Sequence, residues 1–265
     1  MTHDAEMFVR SPGHILITGA AGAIGAALAR AMRDAWPSAQ LALVDREEPP
    51  LRALAAELGD ATVHLADLSE VDALPALVAR IEENGPIDGL VNCAGIMRVQ
   101  NVSTWKWDDA QSLLAIDLLA PLRLQDLLVR GMVERGHGVI VNVSSMAGRV
   151  PLRGCAYYGA AKAGLAMASE IARADLAGRG VQVLTVYPGP VKSALEAGAR
   201  ADYGGGGMFG RFAPTGDPAE LARRILQAIA GDEPRVIYPR LYNVGWTAPN
   251  FASWFALSYG PPPLN

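Results

Sequence analysis

The chain alternates short, continuously apolar runs with longer stretches whose apolar positions recur every three or four residues. The first pattern is expected of strands covered on both faces, the second of helices that bury one side. "HILIT" reads as a strand and leads into "GAAGAIGAALARAMRDA", a glycine turn followed by an Ala-rich helix. "LALVD" is a second strand, "PPLRALAAEL" a helix with Pro near its start, "ATVHLAD" a third strand and "VDALPALVARIEE" a helix. "IDGLVNCAG" gives a fourth strand, a helical region covers roughly 105–133, and "GVIVNVSS" gives a fifth strand. "AYYGAAKAGLAMASEIARADLAG" is a helix closed by glycine, followed by "VQVLTVYPG" as the sixth strand. "DPAELARRILQAIAG" opens with an Asp N-cap and Pro at the first helical position, and "RVIYP" is the seventh strand.

This alternation, without an internal repeat or a dividing linker, predicts an α/β fold. The expectation is a single doubly wound Rossmann-type domain over 13–265, with a seven-stranded parallel sheet flanked by helices and a flexible segment at 1–12. Ligands in such sheets bind beyond the C-terminal strand ends, so chemistry is expected after strands one, four, five and six.

Composition removes other classes. Of 265 residues, 51% are hydrophobic and 19% charged, which fits a filled core and argues against disorder. A formal net charge of −4 argues against nucleic acid or anionic lipid as the main partner. Cys93 and Cys155 are too few for a disulfide framework, and a reduced, cytoplasmic setting is the simplest expectation. The first residues do not read as a signal peptide, and no apolar run reaches transmembrane length. His3, His14, His64 and His137 are scattered, and no metal site is expected.

"TGAAGAIG" spans Thr18, Gly19, Ala20, Ala21, Gly22, Ala23, Ile24 and Gly25. Strand before and helix after are the context in which such a turn holds a dinucleotide pyrophosphate, although glycine there also serves close helix–strand packing. Asp45 ends the second strand, where a carboxylate can accept from ribose hydroxyls and repel a 2′-phosphate. That favours NAD over NADP; Arg46, next to it, softens the preference.

Tyr158 and Lys162 stand four apart on a predicted helix and so share a face; Tyr157 does not. A free phenol titrates near pH 10, and a lysine cation ~5 Å away at an effective dielectric of ~20 is worth roughly 2 pKa units. Burial acts in the opposite direction. The pair is expected to make Tyr158 an acid/base near neutral pH.

With these elements in order, residues 13–193 resemble the short-chain dehydrogenase/reductase family in its single-domain form. The resemblance lies in "TGAAGAIG", Ala66–Asp67 followed by Leu68, "NCAG" with Asn92, Ala94 and Gly95, "VSS" ending at Ser145, "YGAAK", and "PGPVKS". It implies that Ser145 orients the substrate oxygen, Tyr158 exchanges its proton, and Lys162 tunes the phenol and holds the nicotinamide ribose. It implies cofactor contacts at Asp67, Leu68, Asn92, Ala94 and Gly95, and a nicotinamide cradle at Pro188, Gly189, Val191 and Ser193.

Two positions depart from the family's pattern. Gly22 precedes an Ala23 where glycine is usual, giving Thr-Gly-x-x-Gly-x-x-Gly. Asp117, in "LLAIDLLAP", stands where the family's proton-relay Asn is usual, and is taken here as a fourth catalytic candidate.

A substrate lid is expected near 194–214, with Gly204–Gly207 mobile and Met208 and Phe212 as apolar contacts. Met97, Met146, Val150 and Leu152 are expected at the pocket mouth. The tail 241–265, with Trp246, Phe251, Trp254 and Phe255, is assigned first to a subunit contact, then to covering an apolar substrate or touching a membrane. The resemblance implies a homodimer or homotetramer. The resulting expectation is an NAD-dependent interconversion of a secondary alcohol and a ketone. The alternatives are an NADPH-dependent carbonyl or 3-oxoacyl reductase and a non-catalytic dinucleotide-binding scaffold or sensor.

Overall fold

Seven parallel strands lie in the order β3-β2-β1-β4-β5-β6-β7 in a computed structural model that describes residues 11–203 and 214–264. The strands are β1 His14–Thr18, β2 Gln40–Asp45, β3 Ala61–Leu65, β4 Gly89–Asn92, β5 Gly138–Val143, β6 Val181–Pro188 and β7 Arg235–Tyr238. Each expected strand is present, but β3 stops at Leu65, so Asp67 lies in the loop beyond it. Gly204–Gly207, Met208 and Phe212 of the expected lid lie outside the described residues, as does most of the 1–12 segment.

Side-chain alternation explains why the strands read as continuously apolar. Ile15 and Ile17, Leu41 and Leu43, Val139 and Val141 join one buried cluster with helices α1 Ala23–Ala35, α2 Glu48–Leu58 and α8 Pro218–Ala230. Leu16, Val44, Leu90 and Ile140 point the other way, toward α3 Leu74–Glu82 and α5 Ala120–Arg135. Full burial of each such side chain is worth about 1.5–3 kcal/mol, which drives both helical layers onto the sheet.

The helices begin where the sequence supplies stops and caps. Asp217 accepts from Ala219 and Glu220 N–H groups at the head of α8, with Pro218 as its first residue. The 71–83 segment opens as a 3₁₀ turn at Val71–Ala73 before α3. The helical region expected at 105–133 is α4 Trp107–Leu114 followed by α5, joined by one π-helical turn at Ala115–Leu119. α6 Ala156–Asp175 ends before the glycine expected to close it, and Gly178 takes φ +74° in the turn that follows. After β6 come α7 Ala194–Asp202, then α8 and β7, then two short helices, α9 Asn243–Thr247 and α10 Pro249–Tyr259.

A buried polar chain crosses the middle strands. Asn92 donates to Asn142 Oδ1 at 2.8 Å, Asn142 donates to Ser169 Oγ at 3.1 Å, and Thr185 donates to the same oxygen at 2.7 Å. It fastens α6 to β4, β5 and β6 just behind the strand ends, and leaves Asn92 Oδ1 buried without a hydrogen-bond partner.

Candidate active site

The cleft opens where strand order reverses, between β1 and β4. It holds about 1100 Å³ and runs from Asp45 and Asp67 past the glycine turn to Ser145, Tyr158 and Lys162. Gly19 takes φ +65°, and a Cβ on Gly25 would stand 2.1 Å from the Gly19 carbonyl oxygen. These two glycines are demanded by backbone packing. Gly22 and Ala23 are exposed on the cleft, and the first turn of α1 has no side-chain cap. Its N–H groups and helix dipole therefore face the cleft, which suits a pyrophosphate.

Asp45 is held by three backbone donors: Ala21 N–H at 2.9 Å, Arg46 N–H at 2.7 Å and Glu47 N–H at 3.2 Å. It both starts a turn and faces the cleft, so the two sequence-level readings of this residue coexist. Arg46 is exposed, with Glu47 Oε1 3.5 Å away. The Asp67 carboxyl lies below its usual range, chiefly because Ser69 N–H donates to it at 2.9 Å.

Ser145, at the end of the loop after β5, caps the 3₁₀ turn Met146–Gly148 by accepting from Ala147 N–H at 3.1 Å. Tyr158 and Lys162 sit one turn apart at the head of α6, both buried, with Lys162 Nζ 5.9 Å from the Tyr158 ring centre. Nζ donates to the Val143 carbonyl at 3.2 Å and lies 3.4 Å from Asp117 Oδ2. Burial pushes the Tyr158 phenol above its ordinary value; Lys162 opposes this, and Asp117 adds to the rise. The expectation that Lys162 brings the phenol down is thus reversed for the protein alone, because desolvation exceeds the cation's pull and a carboxylate offsets the cation. Lys162 is carried above its usual value: burial lowers it, but Asp117 and then Tyr158 raise it by more.

Three expected site residues do not line the cleft. Thr18 turns back into the fold, accepting from Cys93 and Ala94 N–H at 3.1 and 3.2 Å and donating to Val91 O, so it ties β1 to the loop after β4. Asn92 is consumed by the polar chain described above, and Asp117 reaches Lys162 from behind. Ser193 does line the cleft, while its hydroxyl caps α7 by accepting from Glu196 N–H. The other expected contacts at Gly19, Ala21–Gly25, Asp45, Arg46, Asp67, Leu68, Ala94, Gly95, Pro188, Gly189 and Val191 all line it.

Beyond Ser145 the cleft is walled by Met97, Met146, Val150 and Leu152, as expected from the sequence. The tail folds over its own chain: Val244, Phe251 and Phe255 line this end of the cleft while remaining partly open to solvent, and Trp254 and Leu257 are exposed away from it. Tyr203 and Tyr242 also line the cleft and were not singled out; no spacing or motif marks them. The only charged side chains at this end, among the described residues, are Glu196 and Arg200, which pair with each other. Cys93 lines the cleft too, but burial pushes its thiol up to about 12, so it is a poor nucleophile. Among the described residues no cluster could hold a metal, and no helix is long and apolar enough to cross a membrane.

The family model described as short chain dehydrogenase matches residues 13–204. D-threitol dehydrogenase of Mycolicibacterium smegmatis is 38% identical, covering 78% of this chain and 82% of the relative. Acetoacetyl-CoA reductase of Allochromatium vinosum is 33% identical over 82% of this chain and 91% of that protein. A short-chain dehydrogenase from Sphingobium yanoikuyae, solved in complex with NADPH, superposes with a TM-score of 0.77 at 28% identity, covering 93% and 95% of the two chains.

Proposed function

Because the chain belongs to the short-chain dehydrogenase/reductase family, oxidoreductases acting on CH–OH and carbonyl groups with NAD(P), we propose that it interconverts an apolar secondary alcohol and its ketone with NAD preferred. The observation that carries this reading is one continuous cleft. It runs from a carboxylate at the end of β2, past an uncapped helix N-terminus, to a buried Tyr158–Lys162 pair beside Ser145.

The dinucleotide, when bound, supplies the hydride acceptor or donor. Asp45 would hold the adenosine ribose, the Ala21–Gly25 backbone the pyrophosphate, and Gly95, Pro188, Gly189 and Val191 the nicotinamide end. Tyr158 takes the hydroxyl proton in oxidation and returns it to the carbonyl oxygen in reduction. Ser145 donates a hydrogen bond to the same oxygen as charge grows there. Lys162 holds the nicotinamide ribose and biases the phenol. The apolar wall and the mutually paired Glu196 and Arg200 support a substrate without charge. We further read the protein as a single-domain, cytoplasmic homodimer or homotetramer. Exposed Leu119, Met167 and Ile171, around the α5 and α6 helices, support the association.

Calorimetric titration of NAD and NADP into the wild type and Asp45→Ala tests the cofactor assignment. Tighter NAD binding that Asp45→Ala abolishes is expected. Equal or tighter NADP binding favours the second reading, an NADPH-dependent carbonyl or 3-oxoacyl reductase. Exposed Arg46, which lines the cleft next to Asp45, supports that alternative, as does the NADPH complex of the Sphingobium relative.

A further inference from the structure

Asp117 and Lys162 form a buried ion pair directly behind the cleft. Asp117 is 0% and Lys162 4% exposed, and Oδ2 to Nζ is 3.4 Å. Asp117 Oδ1 accepts the Ile96 N–H at 2.7 Å, while Oδ2 has no hydrogen-bond partner. The residue sits in the π-helical turn at Ala115–Leu119, where the wider turn aims it at α6. A neutral amide at this position could accept the same Ile96 N–H without the desolvation cost of a buried carboxylate, which amounts to several kcal/mol. The charge, rather than the hydrogen bond, is therefore the feature that calls for a role.

We propose that Asp117 is a positioning residue for the reaction. Its carboxylate cancels the Lys162 charge that would otherwise favour the Tyr158 phenolate, so Tyr158 keeps its proton to higher pH. The inference rests on the reading of Tyr158 as the acid/base. Burial raises the Asp117 carboxyl above its usual value, and Lys162 and the Ile96 N–H oppose this. With Lys162 alone, a phenolate would face one cation; with Asp117 ionised, it faces a neutral pair. The other titratable groups beside these residues are Cys93, from the loop after β4, and Cys155, at the N-cap of α6. Burial raises both thiols, so neither adds charge at neutral pH. In reduction, Tyr158 gives its O–H proton to the carbonyl oxygen as the carbon receives hydride from the reduced dinucleotide. The ketone is reduced, the dinucleotide is oxidised, and the phenolate regains a proton from solvent. Asp117 thus extends the pH range of reduction and confines alcohol oxidation to alkaline conditions.

The test is an ultraviolet tyrosinate titration, with Tyr158 isolated by difference against Tyr158→Phe, in the wild type and in Asp117→Asn. The expected result is a midpoint lower by at least about 1 pH unit in Asp117→Asn. An unmoved or raised midpoint overturns the proposal. The double variant Asp117→Asn/Lys162→Met removes both charges and decides the matter if the single variant folds poorly. Cancelling charges leave its midpoint near wild type, whereas a clear rise means that Asp117 carried no charge. Turnover of Tyr158→Phe with 1-phenylethanol and acetophenone is a separate readout. If it retains wild-type activity, the acid/base reading fails, whatever the titrations give.

Discussion

The Ser144 hydroxyl donates a 2.7 Å hydrogen bond to the main-chain carbonyl of Lys162. It ties the loop after β5 to α6, one residue from Ser145 and one turn from Tyr158. The spacing of the proposed oxygen donor and acid/base is thus set by a bond that neither of them makes. Ser144→Ala is expected to lower kcat roughly tenfold through misplacement. Stability should fall by about 1 kcal/mol, and cofactor affinity should hold. Steady-state kinetics, thermal melting and fluorescence titration with NADH read the three effects separately.

The glycine turn separates packing from binding. A Cβ on Gly25 collides with the Gly19 carbonyl at 2.1 Å, whereas one on Gly22 meets that oxygen at 3.2 Å. Gly25→Ala should cost about 1–3 kcal/mol or more by forcing the backbone apart. Gly22→Ala should fold nearly as well as wild type and lose cofactor affinity instead. Melting curves with and without NAD distinguish the two behaviours.

Tyr158 is raised by burial, against Lys162 and with Asp117. A raised phenol is the acid form at neutral pH, so the base needed for oxidation is scarce there and accumulates as pH rises. Alcohol oxidation should therefore climb through the alkaline range, while ketone reduction stays level across neutrality and falls only at high pH. Initial rates in both directions against pH check the sign. Oxidation that peaks below neutrality would contradict it.

Trp246 anchors the tail. Its ring lies under the Arg149 and Arg235 guanidiniums, at 4.8 and 4.6 Å, and edge-on to Tyr187 at 5.0 Å. Trp246→Ala should cost about 2 kcal/mol. It should also loosen α9 and α10, raising KM for bulky ketones more than for small ones. Calorimetry and a size-graded ketone series measure both.

Phe255, one of the walls of the cleft's apolar end, predicts a narrower effect. Phe255→Ala should raise KM for acetophenone-sized or larger ketones roughly tenfold, through lost apolar contact. KM for acetone and the affinity for NADH should hardly change. A uniform loss across all ketones would mean that α10 stands away from the substrate.

The sheet was legible because both helical layers leave every strand apolar, and the glycine turn and Tyr158–Lys162 were legible because their spacing carries the chemistry. Side-chain direction was not. Thr18 and Asn92 occupy expected positions, yet the Thr18 hydroxyl is spent on Cys93 and Ala94 and the Asn92 amide NH₂ on Asn142 inside the fold. The phenol's upward shift was misjudged because spacing shows the neighbouring cation but neither the depth of burial nor the second charge behind it. The tail's aromatic residues stood out, but that the tail folds back onto the cleft rests on Trp246 meeting Arg235 and, far away in sequence, Arg149.

The π-helical turn at Ala115–Leu119 holds one residue more than an α-turn would. Chain length, not residue identity alone, therefore sets where Asp117 points. Deleting a single residue inside this turn would restore a regular α-helix and leave Leu124, Leu128 and Met132 facing the sheet as they do now. The carboxylate would swing away from Lys162. The turn thus holds one residue more than a regular helix would, and losing it is expected to release the lysine from its counter-ion.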